Sequence, residues 1–110
     1  MDNVQLWLVM TTVENRDQAE RLARSLVEER LAACVSIGAA MTSIYPWQPQ
    51  IESAEELPLM IKTSPQRLQA LKTALANIHP YEVPEMLVLP VIDGLPAYFD
   101  WAHAWTDHDR

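Results

Sequence analysis

Cys34, Lys62, His79, Tyr81 and Glu82 are the side chains of this 110-residue sequence whose chemistry reaches beyond solvation. From His79 to Glu85 the chain reads HPYEVPE, which places an imidazole, a phenol and two carboxylates within seven residues whose prolines, 80 and 84, restrict the backbone. Thiolate and imidazole donors suit a soft metal ion, and a carboxylate adds a harder oxygen for a divalent one, so Cys34, His79 and Glu82 form a candidate metal set. Lys62 and Tyr81 supply a charge and a hydroxyl for a small-ligand cleft that Tyr45, Trp47 and Trp101 would wall. Each of these residues also has a plainer role. A single cysteine more often packs as a small hydrophobe, a histidine before Pro80 ends a helix, and aromatic residues fill interfaces.

Other chemistries are excluded or weak. With two glycines in total, phosphate-cradling loops have nothing to build on, and neither a nucleotide fingerprint nor a Ser-His-Asp arrangement is present, so the chain is read as a non-enzyme. His103 and Asp107, four apart near the C-terminus, with His108 beside them, make at most an adventitious metal site. Fifteen acidic against eight basic side chains give a net charge of −7, which disfavours nucleic acid and favours cations at long range. One cysteine excludes an intramolecular disulfide and paired-cysteine zinc sites. The absence of a long apolar run and of a signal pattern leads to the expectation of a cytoplasmic protein with no membrane partner.

The elements that must position these residues follow from periodicity. Residues 1–110 suffice for a single domain with its own core. Val4–Val13 is rich in large and β-branched residues and reads as a strand. In the following segment Ala19, Leu22, Ala23, Leu26 and Val27 recur at helical spacing behind Asn15, a capping residue. Leu31–Tyr45 reads as one long strand with a small-residue face, and Pro46–Gln50 turns it into a third strand, Ile51–Thr63. Ser64 and Pro65 mark a helix start, Leu68, Leu71, Leu75 and Ile78 one face of that helix, and Pro80 its end. Glu85–Ile92 is a fourth strand, and Ala97–Trp105 a terminal helix with Tyr98, Trp101 and Trp105 along one side.

Strand, helix, strand, strand, helix, strand is the order of an α+β, ferredoxin-like βαββαβ fold with both helices on one face of an antiparallel sheet, plus a short C-terminal helix. The first and fourth strands are apolar on both parities, so a second copy of the chain is expected on the other face. Strand alternation places Cys34 on that face. Gly38, Ala39 and Ala40 leave room either for a second backbone or for helix packing.

LAACVSI, SIYPWQPQIE, MIKT, HPYEVPE and YFDWA, in this order and spacing, resemble the CutA family of divalent-cation-tolerance proteins over nearly the whole chain. The resemblance implies a homotrimer with sheets turned inward and the hairpins exchanging edge contacts. It implies a role in tolerance of copper or another divalent cation, with no required cofactor and no established catalysis; a PII-like signalling or adaptor trimer, binding a small ligand or protein at subunit clefts, is the alternative. The chain departs from the family at the hairpin: Pro49 and Gln50 stand where glycine and lysine are usual, and Ser36 where asparagine is common. Pro58 marks an edge or a bulge in the third strand.

Overall fold

The computed structural model describes residues 3–107. Its elements are β1 (Leu6–Val13), α1 (Arg16–Glu28), β2 (Cys34–Ile37), β3 (Met41–Trp47), β4 (Gln50–Thr63), α2 (Leu68–Ile78), β5 (Leu87–Val91) and α3 (Pro96–Thr106). The sheet runs β2-β4-β1-β5 with every pair antiparallel, and β3 pairs with the outer half of β4. If β2 and β3 are counted as one interrupted strand, this is the ferredoxin-like order expected from the sequence.

Helix α1 starts as its sequence predicts. The Asn15 side chain accepts from the Gln18 N–H at 2.9 Å, and the Gln18 side chain in turn accepts from the Glu14 N–H at 3.0 Å. Its other end is less usual. Arg30 takes a positive φ of 60° while its N–H reaches Val27 O and the Leu31 N–H reaches Leu26 O. That is a Schellman close with arginine in the place glycine normally holds. The Arg30 guanidinium lies 3.6 Å from the Trp105 ring centroid, and the Trp105 indole N–H donates to Val27 O. These contacts tie the end of α1 to α3 and offset the backbone strain.

One sheet face carries Val9, Val13, Leu57, Leu59 and Ile61 against Leu22 and Leu26 of α1 and Leu71 and Leu75 of α2, all of them buried. Helix α3 crosses one end of the opposite face, where Phe99 and Ala102 pack on Leu6, Ala33 and Val91. The buried stripe of α3 is therefore Phe99, Ala102 and Thr106, one residue on from the stripe the sequence suggests; Tyr98 and Trp101 are exposed.

Three further features differ from the sequence reading. The long second strand is broken at residues 38–40. Ile37 stands opposite Leu59, but Met41 stands opposite Glu56, so the β2–β3 side holds one residue more than β4 over this stretch. That extra residue is a bulge. Pro58 explains its position. The Gly38 N–H donates to Pro58 O at 2.8 Å, and a strand residue's N and O point to the same side, so the hydrogen that proline lacks is missing on the β2 side. Gly38 also leaves space for the proline ring, since a Cβ there would lie 2.7 Å from Pro58 Cγ. The close neighbour of Gly38 is thus its own chain.

Helix α2 begins at Leu68 rather than at Pro65. Ser64 is fully buried and donates its hydroxyl to Asp107 at 2.8 Å instead of capping α2, and the turn from Ser64 is closed by the Arg67 N–H. Ile78, expected on the inner face, is 45% exposed.

Candidate functional site

Strand alternation and register decide which candidate residues share a surface. Cys34, Lys62, Leu8 and Leu89 form one row across the sheet, and Ser36, Met60, Met10 and Leu87 form the next. Both rows lie on the face opposite α1 and α2, beyond the end that α3 covers. Met60, Leu87 and Leu89 are exposed there, as is Trp101 at the edge of α3. Lys62 Nζ lies 3.3 Å from Ser36 Oγ and 3.9 Å from Cys34 Sγ. Burial pushes the nearby Tyr98 phenol up, with the charge of a Cys34 thiolate adding to the shift.

The bulge determines what joins this surface. Past the extra residue the parity of β3 reverses, so Met41, Tyr45 and Trp47 pair with the even-numbered residues of β4 and continue the face that holds Cys34, Met60 and Lys62. Uninterrupted alternation from Val35 and Ile37 would have turned them toward the helices. Trp47 is 59% exposed at the end of a β3–β4 arm that runs about 24 Å at ~3.4 Å per residue. The arm makes the molecule long, 46 × 27 × 23 Å, with a Cα radius of gyration of 14.8 Å where a compact chain of this size would have about 13 Å. At its tip Gln48 takes φ 60° and is followed by Pro49. Proline cannot adopt positive φ, so the two-residue turn takes the type II′ pattern with its left-handed residue at position 48.

HPYEVPE lies at the other end of β1. His79 is 7% exposed and caps α2, its N–H bonded to Leu75 O. Its Nδ1 accepts from the Tyr81 N–H at 3.0 Å, so the ring proton sits on Nε2, which donates to Thr12 O at 2.9 Å and shares Thr11 Oγ1 at 3.0 Å. The Thr11 hydroxyl donates onward to Glu85 O at 2.7 Å. Tyr81 Oη donates to Glu56 Oε2 at 2.9 Å, and the Thr12 hydroxyl reaches the same oxygen at 3.2 Å. Burial lowers the His79 pKa below the ordinary 6.5, against the opposing pull of the Thr12 carbonyl and the Glu56 charge. Burial and the Glu56 carboxylate raise that of Tyr81.

The sequence-derived metal residues are not brought together within one chain. Cys34 is level with Leu8 on the sheet, whereas His79 is bonded at Thr11 and Thr12 and has both ring nitrogens engaged. Glu82 is exposed on the loop. Among the described residues no group of three His, Cys, Asp or Glu side chains is placed to hold an ion, and no buried side-chain nitrogen or oxygen lacks a hydrogen-bond partner. Of the cleft residues, Lys62, Tyr45 and Trp47 share the bare face, Trp101 lies at its α3 end, and Tyr81 belongs to the His79 network. Thr11, Thr12 and Glu56 escaped the sequence reading, because they come from strands far from HPYEVPE in the chain and carry no motif. His103 Nε2 donates to Gln5 O at 2.6 Å and Asp107 accepts from Ser64, so the terminal pair has structural duties; His108 lies outside the described residues. No described helix is long and apolar enough to cross a membrane.

Comparison with known proteins gives one consistent family. Residues 7–104 match the family described as CutA1 divalent ion tolerance protein. The divalent-cation tolerance protein CutA of Thermus thermophilus is 44% identical over 94 residues, which cover 86% of this chain and 91% of that protein. The mouse protein CutA is 44% identical over 96 residues, or 87% of this chain, which spans about half (54%) of the mouse protein's length. The crystal structure of CutA from Xylella fastidiosa superposes with a TM-score of 0.90 at 39% identity, covering 94% of this chain and 99% of that one.

Proposed function

The chain belongs to the CutA1 divalent ion tolerance family, and from that premise we propose that it acts as a homotrimer that binds copper or another divalent cation through Cys34 at the bare sheet face. The observation that carries the reading is the apolar surface of Leu8, Met10, Met60, Leu87 and Leu89 with Cys34 in its first row. An exposed sheet face of this kind is normally covered by a partner, and cyclic closure brings equivalent groups from each copy toward one axis.

Within one chain the residues do not make a complete metal site. Cys34 is one soft donor, and the Lys62 ammonium 3.9 Å away opposes a second positive charge. Further donors must come from neighbouring copies, so metal binding in this reading requires assembly. His79 takes no part, because neither ring nitrogen has a free lone pair, and Glu82 is not needed. The reading assigns binding rather than catalysis and places the protein in the cytoplasm, where a lone thiol stays reduced.

Copper titration of the purified protein tests it. Binding should be lost in Cys34→Ser and strengthened in Lys62→Ala. Unchanged affinity in Cys34→Ser overturns the metal contact, and a monomeric mass by light scattering overturns the assembly.

A further inference from the structure

We propose that His79 is a proton-operated latch on the loop of residues 79–86: gaining a proton at Nδ1 frees Tyr81 and opens the loop between α2 and β5. The geometry allows the neutral ring only. Nδ1 faces the Tyr81 N–H at 3.0 Å, and Nε2 already carries the proton it donates to Thr12 O. A second proton would set two N–H donors against each other at a distance suited to one hydrogen bond. The bond must break or the ring must turn.

The loop has few substitutes for that bond. Pro80 and Pro84 have no N–H to offer, and Pro80, Glu82, Val83 and Glu85 are exposed, with Val83 81% so. The ends of the loop are held by the His79 N–H on Leu75 O and by Met86 against the core. Between them the segment is held by the Tyr81 N–H on His79, the Thr11 hydroxyl on Glu85 O and the Tyr81 hydroxyl on Glu56, with the two rings edge to face at 4.9 Å. The three anchors meet at His79, since Thr11 Oγ1 also receives the Nε2 proton. Turning the ring therefore loosens the anchors together, and Glu56 is left with Thr12 alone.

The groups facing the ring set where the latch operates. From β1 come Thr11 and the Thr12 carbonyl, from β4 the Glu56 carboxylate, and from the loop Tyr81; Glu14 after β1 and Tyr45 on β3 act on Tyr81. Glu56 and Thr12 favour the cation, while burial opposes it more strongly, so the latch is closed at neutral pH and opens on the acidic side of 6.5. This inference is independent of any metal at Cys34.

Nuclear magnetic resonance of the full chain between pH 7.5 and 5 tests it by following the His79 ring signals and the Tyr81 amide exchange rate, corrected for the intrinsic pH dependence of exchange. Tyr81 should lose at least tenfold of its protection with the midpoint of the His79 titration. Glu56→Gln, which keeps an oxygen for Tyr81 and Thr12 but removes the charge, should move that midpoint further down. His79→Gln should remove the step, with amides in the core of β1 reporting that the fold is intact. Tyr81 protection that stays constant through the His79 titration, a His79 ring that remains neutral until the chain unfolds, or an unmoved midpoint in Glu56→Gln would each overturn the latch.

Discussion

Replacing Met60 by lysine isolates the bare sheet face from the rest of the fold. Met60 is 37% exposed on the inner half of β4, between Ser36 on one side and Met10 on the other. In the separate chain the change removes part of one partly exposed side chain, roughly 1 kcal/mol on a scale of ~1.5–3 for full burial of such a residue. In an assembly that covers this face, the same substitution buries an ammonium without a partner, on the same side of the strand as Lys62. An uncompensated buried charge costs about 3–5 kcal/mol. At ~3 kcal/mol per copy, three copies would weaken trimer formation by about six orders of magnitude, at ~1.4 kcal/mol per factor of ten. Sedimentation equilibrium over a hundredfold concentration range, with circular dichroism to report the fold, reads this directly. The expected result is a folded monomer where the parent chain has the mass of a trimer. A Met60→Lys chain with the parent's mass and dissociation constant would refute the assignment of this face to assembly.

The remaining predictions concern the parts that shape the face and its surroundings. His79 has a folded pKa below its unfolded value of 6.5, so the unfolded state binds the extra proton. Its stability contribution is complete above pH 6.5 and falls, by at most about 1.4 kcal/mol per pH unit per chain, as pH drops toward the lowered folded value. Urea midpoints should show this slope in the parent chain, and a slope that survives in His79→Gln would point elsewhere. Gln48→Gly should raise stability by up to about 1 kcal/mol in thermal unfolding, because glycine accepts the positive φ that glutamine holds under strain; a loss would mean that position 48 is unstrained. Gly38→Ala should cost about 1–3 kcal/mol, since its Cβ would meet the Pro58 ring at 2.7 Å, and Pro58→Ala should recover most of that loss in the double variant.

The order of elements and the shared side of α1 and α2 were legible because each rests on short-range pattern: alternation in β1, helical spacing from Ala19 to Val27, the stop at Pro80. The helix boundary at Ser64 was not, because the serine hydroxyl is claimed by Asp107, a partner 43 residues away that propensity cannot see. The α3 stripe was misread for a related reason. Tyr98 and Trp101 are the larger apolar residues, but Phe99 and Ala102 fit the corner made by Leu6 and Val91. In the candidate site, HPYEVPE announced a rigid, chemically equipped loop without disclosing what its groups bind. The three strand residues that occupy His79 and Tyr81 become neighbours only when the sheet forms. The bulge was half legible: Pro58 signalled an interruption, and the register showed that the extra residue belongs to the opposite strand.

That extra residue gives the chain a spare position at 38–40, which is unusual inside a sheet. Ala39 and Ala40 are exposed and outside regular structure, the setting in which insertions and deletions are normally absorbed. Removing one residue there would let β2 run into β3 by plain alternation, with Met41 still opposite Glu56 and with Met41, Tyr45 and Trp47 still on the face of Cys34. The pairing of β3 with β4 sets which side the arm presents, so a single-codon deletion at Ala39 or Ala40 would straighten the strand without turning the arm over.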